Sequence, residues 1–67
     1  MRVLSSTIHG TDVEGEVIGG ESFDPVTETC DLESIFTVRC DDGRLYQVHG
    51  WLVDVTILEN PSKFYLM

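Results

Sequence analysis

The sequence predicts an all-β fold: one small antiparallel barrel of five strands with a long acidic loop. Three observations carry this. Apolar and polar residues alternate with period two in several short segments, the spacing at which a strand places alternate side chains on one face. Clusters of Gly, Pro, Asp and Asn punctuate those segments. No stretch has helical periodicity, and a chain of 67 residues has room for one domain but not for a second layer. The reading takes 1–67 as one domain, with its core over 3–58, the irregular acidic loop over 19–34 and a tail over 60–67.

The elements follow in order. Arg2 to Ile8 is β-branched in character, and Ser5, Ser6 and Thr7 make it polar enough for an edge strand. His9-Gly10 punctuates it. In Val13 to Ile18, Val13, Gly15 and Val17 share one side while Glu14, Glu16 and Ile18 share the other. Gly19-Gly20 breaks or bulges that strand. Residues 19–34 supply turn formers with Phe23, Val26 and Leu32 as isolated apolar anchors. A continuous loop of roughly 14 residues is long for a small domain, so an irregular hairpin is expected there. Exposed loops of this kind carry binding surfaces more often than the strands do.

The strongest local signal comes next. Ile35 to Cys40 sets Phe36, Val38 and Cys40 against Ile35, Thr37 and Arg39. Asp41-Asp42-Gly43 then gives a tight hairpin turn, with Gly free to take positive φ. Arg44 to His49 returns, with Tyr46 and Val48 on one face and Leu45, Gln47 and His49 on the other. Gly50-Trp51-Leu52 interrupts the pattern, and Val53 to Leu58 resumes it. Asn60-Pro61 ends the run, because proline cannot continue an inner strand. The apolar Phe64-Tyr65-Leu66-Met67 packs back as a sixth strand or offers an edge to a partner or a second copy.

This succession of first strand, irregular excursion, tight hairpin, Gly-Trp-Leu interruption and last strand resembles the SH3-like barrel, including its Tudor and KOW relatives. Asp42-Gly43-Arg44-Leu45-Tyr46-Gln47-Val48-His49, followed by Val53-Asp54-Val55, carries the likeness. The Sm-like barrel is a close second, although residues 1–12 do not resemble its N-terminal helix. The resemblance is architectural, and fold does not imply function. It implies a groove in which aromatic faces and acidic neighbours attract cations. Phe23, Tyr46, Trp51, Phe64 and Tyr65 are the candidate contacts, and Phe36 is read as core.

Charge narrows the function. Four basic and twelve acidic residues give −8. The charge is segregated: residues 3–38 hold eight of the acids and no Lys or Arg. Those eight, Asp12, Glu14, Glu16, Glu21, Asp24, Glu28, Asp31 and Glu33, are the candidate binding residues. Asp12, Glu14 and Glu16 line one strand face like a ladder, which costs stability unless cations or a basic partner relieve it. An acidic half-surface repels nucleic acid and steers encounter with basic proteins. The same acids also serve solubility.

The leading expectation is therefore a small acidic protein-interaction module. It would be a regulator or inhibitor of the kind bacteria and phages encode, docking on a basic surface such as that of a nucleic-acid-binding protein. Direct nucleic-acid binding by a KOW or Sm-like accessory would have to rest on Arg2, Arg39, Arg44 and Lys63 alone. A structural subunit joined through strand edges or the tail is the third reading.

No enzyme is expected. Neither a nucleophile elbow nor a phosphate-binding glycine loop is present, and a barrel this small has little volume for a dry pocket. His9, His49, Cys30 and Cys40 have the residue types of a zinc site but lack the close pair spacing of one, so no metal or cofactor is expected. No opening signal pattern or long apolar run is seen, which predicts a cytoplasmic, non-membrane protein with two free thiols.

Overall fold

Alternation along the chain becomes pairing between strands. The computed structural model describes residues 1–59. Among them are five strands: β1 (Arg2–Ser6), β2 (Asp12–Gly20), β3 (Ile35–Cys40), β4 (Leu45–His49) and β5 (Val55–Glu59). All neighbours are antiparallel and form one sheet in the order β4-β3-β2-β1-β5. No helix occurs among the described residues. The expectations for a sixth strand and for contacts through Phe64 and Tyr65 lie outside them, as does Lys63.

One face of the sheet holds the core. Val3, Val13, Val17, Phe36, Val38 and Val48 are buried there together with Met1. Their period-two positions put one or two apolar side chains per strand on that face, and β-branched valines suit the pleated backbone. Phe23, Cys30 and Leu32 from the 21–34 excursion cover the core, as do Tyr46, Val53 and Val55. Five strands on one small core leave little redundancy, which is why the excursion must contribute packing.

The expected barrel is not closed. Among the described residues no ladder joins β4 to β5, and both stand at sheet edges. The physical reason is local. Closure needs the two edge strands to meet and pair. Here an irregular Gly50–Asp54 link carries the chain from β4 at one edge to β5 at the other, where β5 pairs with β1. The nine-residue β2 bends instead, with a register shift between Val17 and Gly19. Gly19 and Gly20 therefore belong to a bulged strand, and the irregular segment begins at Glu21 rather than Gly19.

Strand ends differ from expectation for identifiable reasons. β1 stops at Ser6 because the buried Thr7 builds the turn. Its Oγ1 accepts the N–H groups of His9 and Thr11, each at 3.2 Å. β5 starts at Val55 because residues 50–52 form a turn and Val53 a bend. The β3–β4 hairpin agrees with the reading: Gly43 has φ +88° and donates its N–H to the Cys40 carbonyl at 3.0 Å.

Candidate protein-interaction surface

All eight candidate acids are exposed, but they do three different jobs. The first group is Glu14 and Glu16 on the outer face of β2. Register places Glu16 between Arg2 of β1 and Arg39 of β3. Arg2 donates through Nη2 to Glu14 Oε2 at 3.1 Å and to Asp41 Oδ2 at 3.0 Å, and through Nη1 to Asp41 Oδ1 at 3.3 Å. The repulsion expected along the ladder is thus eased at Glu14 by Arg2. Hydrogen bonding to Asp41, then to Glu14, raises the Arg2 pKa, and Arg2 holds Asp41 below the ordinary carboxylate value. Arg2, Glu16, Arg39 and Asp41 line a polar depression of about 350 Å³.

Asp24 and Asp31 form the second group, and their work is architectural. The Val26 N–H donates to Asp24 Oδ1 at 2.9 Å, while the Asp24 N–H donates to the Thr29 carbonyl at 2.8 Å. The Glu33 N–H donates to Asp31 Oδ1 at 2.9 Å. Such Asx turns explain why the excursion is ordered rather than a free loop. A single antiparallel bridge, Asp24 to Thr29, lies within it.

Glu21, Glu28 and Glu33, with Asp12, make the third group. They are exposed, and none has a salt-bridge partner among the described residues. In the set of eight, only Glu14 is ion-paired there. The bases are less free: Arg2 is shared by Glu14 and Asp41, and Arg44 Nε lies 3.3 Å from Asp42 Oδ2. Among the described residues Arg39 is the exposed base without a salt-bridge partner.

The aromatic candidates separate as well. Phe23 and Tyr46 are half-buried against the core, so their ring faces serve packing. Trp51 is 51% exposed and lies 5.2 Å, centroid to centroid, from the His49 ring. It lines an open depression of about 450 Å³ with Ile8, Leu52 and Val53, and Asp54 supplies the charged wall. Ile8 and Leu52 are exposed there. The depression joins the β1–β2 turn to the β4–β5 link, two segments distant in sequence.

Ile8, Leu52 and Asp54 were not legible as site residues, because the meeting of those two segments depends on β5 pairing with β1. Arg2 was read only as a candidate phosphate contact, for the same kind of reason: register alone shows which acids it faces. The interruption at Gly50-Trp51-Leu52 was the available signal. Cys30 and Cys40 are free, half-buried thiols. Burial first, then the Asp31 carboxylate, raises the Cys30 pKa, which opposes nucleophilic reactivity. Among the described residues no three His, Cys, Asp or Glu side chains converge as metal ligands, and no helix is long and apolar enough to cross a membrane. No protein-family model matches the chain, and neither a curated protein nor a solved structure does.

Proposed function

We propose that the protein is a small acidic interaction module that docks on a basic protein surface and so regulates or blocks its partner. One observation supports the reading above others: seven of the eight acids between residues 3 and 38 are exposed without a salt-bridge partner among the described residues. Unpaired exposed carboxylates steer a basic partner and raise its on-rate. The depression at Trp51 adds a short-range anchor. A half-exposed indole beside Ile8, Leu52 and Asp54 suits an apolar side chain or a cation held over the ring.

A partner that itself binds nucleic acid fits this chemistry, because its phosphate-binding surface is basic and the acids would compete for it. The order of elements, with the excursion, the hairpin and the Gly-Trp-Leu interruption in sequence, supports a likeness to the strand succession of SH3-like and Sm-like folds, without their closure. Affinity capture with the full chain at low and then physiological salt tests the proposal. A specific basic protein retained at physiological salt is expected. Capture that vanishes entirely at physiological salt, or no specific partner at all, would overturn it.

A further inference from the structure

The outer edge of β4 has features that point to self-pairing. Hydrogen bonding fixes the phase of the strand. The Cys40 N–H donates to the Arg44 carbonyl at 2.9 Å and the Gly50 N–H donates to the Ser34 carbonyl at 3.0 Å. With β3 and β4 in uninterrupted register between these pairs, Tyr46 and Val48 turn their backbone groups toward β3. Leu45, Gln47 and His49 therefore turn theirs outward. Among the described residues no strand takes them.

Edge strands are ordinarily blunted by lysine, proline, inward charge or a bulge. β4, Leu45-Tyr46-Gln47-Val48-His49, has none of these. The other edge is protected: the register of β5 on β1 shifts between Arg2 and Val3, and β5 ends in Glu59. β4 also holds no acid in a chain of net charge −8. β5, at the other edge, ends in an acid and β4 does not.

We infer that two copies of this chain associate through antiparallel pairing of β4 with β4 of the second copy, about a two-fold axis at Gln47. This register matches the outward phase. Each Gln47 N–H donates to the Gln47 carbonyl of the other copy, and each His49 N–H donates to the opposite Leu45 carbonyl. The Leu45 N–H reaches the His49 carbonyl, which already accepts from Leu52 at 2.9 Å and has a second lone pair. The outer face gains as well. Leu45, 61% exposed, comes to lie over the His49 of the second copy and next to its 51% exposed Trp51. An isologous contact of this kind closes at two chains.

The test is sedimentation equilibrium of the full chain from low micromolar to millimolar concentration, with Trp51 emission followed in parallel. The expected mass rises from 7.5 kDa to twice that, and emission shifts to the blue as the second copy comes against the indole, so that dimer and basic partner compete for Trp51. Added salt strengthens the dimer by screening like charge. Gln47→Pro removes an outward N–H without breaking a β3 bond and abolishes the dimer. Leu45→Lys does the same by charge, so the test survives if the proline variant fails to fold. A monomer at every concentration would overturn the inference, as would two folded variants that dimerise like the parent. A mass above two chains would also overturn it, since that demands an open pairing such as β4 on β5.

Discussion

Replacing Gly50 with alanine separates local propensity from the fold. In a flexible chain Gly→Ala is stabilising by about 0.4–1 kcal/mol, because it narrows the unfolded ensemble. At Gly50 the structure predicts the opposite sign. The residue is buried, and a Cβ would collide with the Leu32 carbonyl oxygen, lie 2.6 Å from its carbonyl carbon and 3.0 Å from the Ser34 oxygen. All three atoms are backbone, so no side chain can swing away. Overpacking of this kind costs about 1–3 kcal/mol. Pushing Leu32 aside also stretches the 3.0 Å bond from the Gly50 N–H to the Ser34 carbonyl, at about 1 kcal/mol. Set against the entropic gain, the net loss is about 2 kcal/mol, a large part of the stability of a domain this size. Urea unfolding followed by Trp51 emission measures it, and the melting temperature should fall by roughly 8–16 °C. A Gly50→Ala protein as stable as the parent, or more so, would refute the claim that the excursion is clamped onto the end of β4.

Three further outcomes are expected. Phe36 is fully buried while Phe23 is half-buried. Phe36→Ala should therefore cost about 3–5 kcal/mol and Phe23→Ala less, as read by chemical denaturation. Arg2 lowers the Asp41 pKa from the ordinary 3.8, so the pair stabilises the fold above that value and is lost as pH falls through the lower folded-state value. Asp41→Asn should flatten this acid limb of the stability–pH profile, and an unchanged limb would count against the ion pair. Trp51→Ala should shift stability by about 0.5 kcal/mol or less, as exposed positions do, while weakening partner capture several-fold. Equal capture by the variant would remove the depression from the site.

Strand existence was legible because alternation is a local property. β3 begins and ends where the pattern says, and β4 departs by one residue. Closure was not legible, since it depends on how strands that are far apart in sequence meet. Gly19-Gly20 shows the limit on a smaller scale: two glycines read equally as a break or a bulge, and only pairing with Thr37 and Phe36 decides for the bulge. The acids were visible as a charge run, but their roles were not. Asp24 and Asp31 build turns because a short carboxylate reaches a backbone N–H two residues on. Glu21, Glu28 and Glu33 have no such reach and stay in solvent. Trp51 could be read as core or surface until β5 docked on β1 and left its ring half open.

If exposed, unpaired carboxylates and the Trp51 depression together hold a basic partner, as proposed, removing the carboxylates weakens that partner's grip. The most direct measurement compares partner affinity of the parent chain with that of a Glu21→Gln, Glu28→Gln, Glu33→Gln variant across a salt series. These three are chosen because no salt bridge or side-chain turn bond depends on them among the described residues. Weaker binding by the variant, a shallower dependence on salt and equal stability of the two chains are expected. Equal affinity and equal salt dependence for the two would contradict the proposal and leave the acids as a solubilising surface.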